Sequence, residues 1–500
     1  MQESLDPIKA LAHARATGGD NAVIEQAVAI LKTAPSASAE RSAALQALEK
    51  LATERRRPDA MWLLGAWYLQ RPQDEGASAL SAAWLRRAAD ADVALAIDRL
   101  ANLHLRGLGV EYAPERALAL LTRLADHAFQ NAAWDAAWLL DALGRTQQAV
   151  TGFARACALG YPPAYYSLGL RFARGAGVKY DPDFAAALLR RANDAGHPDA
   201  ADALNEEVDG GATGAAAEEW YRRLIENLEQ ANPVLDRAAS SSAVLDPAKV
   251  ACVAELEAIF AKLGHPSIVL HGGRLAVACN GAGNVTRQQT DDLVWYARRP
   301  RIGARAHFLS REECAHLIAL ASQSIGRPGD YQLNTRNGAL EASLFDGAGR
   351  SLGGLDSDTV TRVVERRLAD CFDVTPDRIE PISIIRYRPG EEYRAHVDYF
   401  MPEQLREIDA GCMDRGGQRV ATLLVCLRPA ERGGDTRYPE AGVSVQHRRG
   451  MLAVHYNVDE QGRPDTDSIH RGEAVEAGEK WLARTTLRQR SRYPAATLRA

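Results

Sequence analysis

From residue 1 to about 230, apolar side chains, chiefly Ala and Leu, recur every three or four positions with few β-branched runs among them. That spacing predicts a stack of amphipathic α-helices. Beyond residue 380 the period falls to two: PISIIRYR, RVATLLVCL, VSVQH, MLAVHYN and KWLARTTLRQR are alternating or β-branched runs bounded by Gly, Pro and Asp, the pattern of strands. Ahead of those runs, helical spacing covers residues near 310–323, with Ser310 placed as a cap, and near 357–371. The expected fold is multidomain: an N-terminal all-α solenoid of helical hairpins, then a C-terminal jelly-roll or double-stranded β-helix with flanking helices.

The helical half repeats itself. RLANLHLRGLGVEYAPERALALLTRLADHA, starting at Arg99, aligns with SLGLRFARGAGVKYDPDFAAALLRRANDAG, starting at Ser167, an offset of 68 residues. That is about two periods of a helical-hairpin repeat. An earlier copy begins at Ala60 and a shortened one at Ala136, both without the paired glycines of the turn. Each unit is a helix, a turn such as Gly107-Leu108-Gly109 or Gly175-Ala176-Gly177, and a second helix whose apolar face needs a neighbour. The pattern of Leu168, Gly169, Phe172, Gly175, Gly177, Asp181, Ala187 and Gly196 resembles the Sel-one-like branch of the tetratricopeptide superfamily. That resemblance implies a concave face that holds a partner protein. A rigid spacer, or a platform for the domain that follows, is the alternative of equal weight.

Gly, Ser, Pro and acidic clusters from about 205 to 245 predict a connector around one helical stretch. KVACVAELEAIFAKLG then has helical spacing, and SIVLHGGRLAVACNG reads as a hairpin turning at Gly272-Gly273. The expected divisions are a solenoid over 1–205, a connector over 206–295 and a C-terminal domain over 296–495. A length of 500 residues allows two to four domains. With 46% hydrophobic and 25% charged residues and a formal charge of −5, the chain has no basic surplus for nucleic acid. The opening MQESLDPIKALAHARATGGD has no signal-peptide core and no run of 18 apolar residues occurs, so neither secretion nor membrane insertion is expected. Seven cysteines, at 157, 252, 279, 314, 371, 412 and 426, lack CxxC spacing and read as reduced thiols of a cytoplasmic protein. Cys426, inside VATLLVCL, reads as a small buried apolar residue.

The candidate chemistry lies in the strand-rich half. RYRPGEEYRAHVDYF contains His396-x-Asp398, and on a strand residues i and i+2 face the same way, so imidazole and carboxylate can take adjacent corners of one metal's coordination sphere. Alone the pair is weak, since His beside Asp is common on surfaces. A third ligand would leave three positions free for a bidentate 2-oxo acid and dioxygen. His470 fits, because Lys480 follows ten residues later, far enough to sit on the next strand and present its ammonium to a distal carboxylate. His447 and His455 compete for the role but lack a following cation at that distance in a strand-turn-strand pattern. A buried Lys invites an anion; a Lys that snorkels to the surface is the alternative.

The blocks HFLSREECAHLIALA, IIRYRPGEEYRAHVD, GGQRVATLLVCLRPAERGGDTRYP and RRGMLAVHYNVDEQGRPDTDSIHRGEAVEAGEKW, in that order over roughly 300–493, resemble the prolyl 4-hydroxylase family of 2-oxoglutarate oxygenases. The resemblance implies Fe(II) on His396, Asp398 and His470, the 2-oxoglutarate C5 carboxylate on Lys480, and the hydroxyl of Tyr387 on the same co-substrate. It sets Thr436 near the co-substrate pocket, where fixing a hairpin's register is an equally good role, and Trp481 in core packing. Two features depart from the family. Thr486 stands where a second aromatic usually follows the Lys-Trp pair, and TRNGALEAS, with Arg336, matches the family's early RTS-type segment poorly. Both bear on substrate identity rather than on the iron.

The implied cofactors are Fe(II), 2-oxoglutarate, dioxygen and the reductant ascorbate, and the implied reaction couples decarboxylation of 2-oxoglutarate to succinate with hydroxylation of a substrate C–H bond. The leading expectation is a dioxygenase acting on a protein or peptide side chain, proline foremost, with the solenoid helping to bind substrate or a partner. A small-molecule hydroxylase with a purely structural solenoid, and a non-catalytic scaffold, are the alternatives. The charged, Gly-containing stretch from Met401 to Gln418 is long enough to form a lid, or is a surface loop.

Overall fold

A computed structural model of the chain describes residues 19–35, 38–127, 129–208, 293–322, 348–353, 357–401, 413 and 415–493. The helix and hairpin expected between 249 and 281, nearly all of the connector, Arg336 and most of the stretch from 401 to 418 lie outside the described residues.

The Ala- and Leu-rich half forms antiparallel helical hairpins. Their helices are α1 (Gly19–Thr33), α2 (Ala39–Glu54), α3 (Pro58–Leu69), α4 (Ala77–Asp90), α5 (Ala94–Arg106), α6 (Pro114–Asp126), α7 (Gln130–Ala142), α8 (Thr146–Ala158), α9 (Pro162–Arg174), α10 (Pro182–Asp194) and α11 (Ala200–Glu207). The four copies found in the sequence are the pairs α3–α4, α5–α6, α7–α8 and α9–α10, and α1–α2 is a further hairpin. The paired glycines divide two tasks. Gly175, at φ 66°, ends α9 in the left-handed conformation, while Gly177 brings the turn onto the preceding hairpin, where a Cβ would lie 2.6 Å from Thr146 Cγ2. The α7–α8 copy has no such turn, because only Leu143, Gly144 and Arg145 join its helices.

The chain divides into two compact units, Met1–Leu120 with Tyr493–Ala500, and Leu121–Arg492. The second unit combines the later repeats with the strand-rich region. Its strands are β1 (Val294–Arg298), β2 (Arg301–Arg305), β3 (Ala348–Leu352), β4 (Ile382–Tyr387), β5 (Tyr393–His396), β6 (Arg419–Arg428), β7 (Arg432–Gly433), β8 (Thr436–Tyr438), β9 (Val443–Val445), β10 (Leu452–Tyr456), β11 (His470–Gly472), β12 (Val475–Ala477) and β13 (Lys480–Arg488). They form a seven-stranded sheet of order β1-β2-β10-β6-β13-β4-β3, a four-stranded sheet β5-β11-β8-β9 and the pair β12-β7. Apolar side chains of both larger sheets meet between them. Ile302, Leu424 and Ala453 from one join Tyr438 and Val445 from the other, and Ile385, Cys426 and Leu482 join Tyr393 of the smaller sheet and Val475 of the β12-β7 pair. This is the expected double-stranded β-helix.

The flanking helices α12 (Arg311–Ser322) and α13 (Thr359–Cys371) also stand where helical spacing put them. Ser310 caps α12 reciprocally: its hydroxyl accepts from the Glu313 amide at 3.1 Å, and the Glu313 carboxylate accepts from the Ser310 amide at 2.6 Å.

Within this unit the later repeats are seated on the strand-bearing region by buried polar groups. Asp199, 2% exposed, accepts from Tyr166 Oη at 2.6 Å and Arg311 Nε at 2.6 Å, with Arg449 at 3.1 Å and Arg428 at 3.6 Å. Burial alone would raise the Asp199 pKa, but Tyr166 and the arginines outweigh it and hold it below the ordinary carboxylate value. Arg171 bridges Glu312 at 2.8 Å and Asp141 at 2.7 Å, and the Trp134 ring stacks on His316 at 4.7 Å. For residues 121–208 the platform role is therefore realised. Replacing one partner of such a network strands the others, so Asp199→Ala is expected to destabilise the fold by about 3–5 kcal/mol. Urea unfolding of the variant beside Tyr166→Phe checks this, with the second change expected to cost about 1 kcal/mol.

Candidate metal centre

The end of β5 and the start of β11 create the site. His396 and His470 are cross-strand partners in the four-stranded sheet, and Asp398 follows His396 by two residues. One donor atom from each of His396, Asp398 and His470 can be chosen so that all lie within 4.8 Å of one another, and this is the single such His/Cys/Asp/Glu group among the described residues. His396 Nε2 is 3.6 Å from Asp398 Oδ1, and His470 Nε2 is 3.6 Å from Oδ2.

The hydrogen bonds behind the imidazoles make the donor set suitable for a metal. His396 Nδ1 faces the Arg394 carbonyl at 2.8 Å and His470 Nδ1 faces the Ser468 carbonyl at 3.1 Å. A carbonyl only accepts, so each Nδ1 carries the proton and each Nε2 offers a lone pair toward Asp398. Burial pulls the pKa of both histidines down, His470 well below its ordinary value, which keeps the lone pairs unprotonated. For Asp398, burial pushes upward, but the Arg484 guanidinium and the surrounding imidazoles outweigh it and hold the carboxyl well below its usual range. Two neutral imidazoles and one carboxylate on one face fit a divalent transition metal with open positions.

A second neighbourhood is built around β13. Lys480, its first residue, pairs with Tyr387 on β4, and its ammonium lies 5.5 Å from the Tyr387 ring centre. Lys480 is 2% exposed, and its Nζ donates to the Gly434 carbonyl. No carboxylate forms an ion pair with it among the described residues. Burial pushes its pKa down to about 8, with Cys426 and Asp435 opposing. Buried Thr436 meets His447, Oγ1 to Nε2 at 2.7 Å, and the nearby Lys480 charge adds to burial in depressing the His447 pKa.

The two competing histidines thus separate. His447 belongs with Thr436, whereas the His455 ring lies 4.1 Å from the His470 ring and its Nε2 is 3.3 Å from Asp398 Oδ2. Sequence reasoning missed the groups that hold Asp398 from behind. Thr422 Oγ1 donates to Oδ2 at 2.6 Å, and an Arg484 Nη2 donates to Oδ1. Strand alternation was the available signal for Arg484, since it lies four residues after Lys480 and faces the same way. Trp481 points to the other face, its Nε1 on Glu479 at 3.1 Å and Arg386 5.6 Å above its ring. Thr486 is buried, opposite Thr422, and its hydroxyl has no partner among the described residues.

Comparison with known proteins places this geometry in a class. The 2OG-Fe(II) oxygenase superfamily pattern matches residues 382–488, and the Sel1 repeat pattern matches 58–93, 94–129 and 162–197. Prolyl 4-hydroxylase 1 of Arabidopsis thaliana is 32% identical over 206 residues, which are 38% of this chain and 70% of that protein. Probable prolyl 4-hydroxylase 3 of the same plant is 29% identical over 230 residues, covering 40% and 72%. Among solved structures, a viral collagen prolyl hydroxylase from Paramecium Bursaria Chlorella virus-1 is 22% identical over 37% of this chain and 95% of its own, with a TM-score of 0.29. The chain belongs to the prolyl 4-hydroxylase family of 2OG-Fe(II) oxygenases, joined to N-terminal Sel1 repeats. Membership implies Fe(II), 2-oxoglutarate and dioxygen as cofactor and co-substrates. No helix among the described residues is long and apolar enough to cross a membrane.

The full chain is expected to bind one equivalent of Co(II) as a spectroscopic substitute for Fe(II). In His470→Ala the visible absorption of the bound ion should be lost, and titration monitored at those bands checks both.

Proposed function

We propose that the protein is a prolyl 4-hydroxylase acting on a protein or peptide, with His396, Asp398 and His470 holding Fe(II) and Lys480 holding the C5 carboxylate of 2-oxoglutarate. The observation that carries this reading is a buried lysine with no carboxylate ion pair among the described residues, in the same double-stranded β-helix as a two-histidine, one-carboxylate triad. When bound, the iron supplies oxygen activation coupled to decarboxylation of 2-oxoglutarate. The protein's part is positional. Lys480 and Tyr387 fix the far end of the co-substrate, Thr436 lines the same neighbourhood, and the backbone carbonyls behind His396 and His470 keep both lone pairs aimed inward.

The prolyl substrate is supported by the named activities of the Arabidopsis relatives. The repeats outside the platform region are suited to holding that substrate or a partner, and we propose 1–205, 206–295 and 296–495 as the repeat, connector and oxygenase segments. A second reading, hydroxylation of a small polar molecule, is favoured by one feature: Arg484 and Thr486 give β13 a polar inward face beyond Lys480.

Succinate release from 2-oxoglutarate by the full chain with Fe(II) and ascorbate, with and without proline-containing peptides, tests the proposal. Turnover stimulated by a peptide and lost in His396→Ala is the expected result; iron-free, inactive protein would leave a binding scaffold. Lys480 adds a pH signature. Its protonated form, the one that holds a carboxylate, predominates below about pH 8 and is lost above it. The apparent Kd for 2-oxoglutarate should therefore be level below pH 8 and rise about tenfold per unit above it. In Lys480→Ala, binding should be weak and lack that limb, as measured by calorimetry from pH 6.5 to 9.5.

A further inference from the structure

We propose that His455 is a positioning residue for the metal: an imidazole whose Nε2–H is directed at Asp398 Oδ2, with Nδ1 held by Tyr438. The inference rests on reading His396, Asp398 and His470 as metal ligands, but its central claim concerns a proton whose place can be read without any metal.

The argument is an inventory of hydrogens. Tyr438 and His455 are both 0% exposed, and Tyr438 Oη lies 2.8 Å from His455 Nδ1. No other polar contact of the Tyr438 hydroxyl is found among the described residues, so its one proton has one acceptor, His455 Nδ1. A ring that accepts at Nδ1 carries its own proton at Nε2. That nitrogen is buried, is 3.3 Å from Asp398 Oδ2 and has no formed hydrogen bond; the contact lacks only good alignment. The opposite tautomer fails on two counts. It leaves a buried phenol proton without an acceptor, and it turns a nitrogen lone pair toward a carboxylate oxygen. Direct ligation by His455 requires that same disfavoured tautomer, which is why the ring serves the carboxylate and not the metal.

The strand register explains why this arrangement centres on one oxygen. His455 on β10 lies opposite Thr422 on β6, so adjacent strands of the seven-stranded sheet aim two donors at Asp398 Oδ2. Asn457 Nδ2 supports Thr422 from behind at 3.1 Å, and β13 sends Arg484 to Oδ1. The four-stranded sheet thus supplies the two imidazole ligands, and the seven-stranded sheet supplies the donors that orient the anionic one. Removing such outer partners from a metal site typically costs about 10- to 100-fold in affinity.

The test has two arms on the full chain. In metal-free protein labelled with 15N at histidine, two-bond 1H–15N correlations report the tautomer of each ring, and the His455 signals are those missing from His455→Gln. Protonation at Nε2 in the wild type, and loss of that preference in Tyr438→Phe, are expected. The second arm measures Co(II) affinity by chelator competition. His455→Phe should bind about tenfold more weakly or worse, and His455→Gln, which keeps an N–H within reach, should recover most of the loss. An Nδ1-protonated ring in a protein that binds Co(II), or a His455→Phe variant that binds as tightly as wild type, overturns the proposal alone. A wild type that binds no Co(II) at all overturns the metal reading and the role of His455 with it.

Discussion

A carboxylate 4% exposed between two β-sheets is the group on which the second compact unit turns. An isolated buried charge is costly, and the cost is met only when opposite charge and hydrogen-bond donors surround it. Around Asp398 these come from both sheets. Thr422 and Arg484 donate to it from the larger sheet, and two imidazoles face it from the smaller one. The strand order places these groups there because β6, β10 and β13 lie side by side while β5 and β11 pair across the core. A metal ion is then the natural completion, since it adds positive charge where the protein already concentrates donors and a carboxylate.

The two cations on the inward face of β13 meet this constraint in different ways. Lys480 and Arg484 are four residues apart, about 13 Å along a strand. Arg484 is paired with a carboxylate of the protein itself; Lys480 is more deeply buried but rests on a backbone carbonyl. A guanidinium suits the structural task because its planar fork stays charged and spreads over several acceptors. Burial lowers the pKa of the Lys480 ammonium to about 8, and a carboxylate placed against it would raise that pKa again.

Sequence periodicity made much of this legible. The alternation in RVATLLVCL and KWLARTTLRQR identifies β6 and β13, and Gly175 with Gly177 marks a repeat turn. His396-x-Asp398 was visible because both side chains lie within three residues of one strand end. What stayed hidden depends on pairing between distant strands. Thr422 is ordinary strand composition until β10 and β13 flank it, and Arg484 reads as an outward charge in a half-buried strand until Asp398 is seen beside it. His455 was noticed as a rival ligand because a sequence shows a histidine's identity but not which nitrogen faces what. The hairpin α1–α2 escaped because Ala and Leu alone, without the turn glycines, carry little register information.

The same logic reaches the repeats of the second unit. Repeat arrays are held chiefly by contacts between neighbours, so a terminal hairpin normally needs a polar cap. Here α9–α11 end instead on Asp199 and Arg171, buried groups whose partners come from α12 and from residues flanking β6 and β10. Apolar packing would tolerate sliding of one surface over another; a carboxylate fixed by Tyr166 and Arg311 at hydrogen-bond distance does not. Arg428, the last residue of β6, and Arg449, in the turn that leads from His447 into β10, also approach Asp199. The arginines that reach the repeats thus lie at the end of the strand that carries Thr422 and in the turn before the strand that carries His455. The later repeats and the strand-bearing region of this unit are therefore joined through buried ion pairs as well as through the chain, which gives the fusion of these two folds a mechanical content beyond tethering.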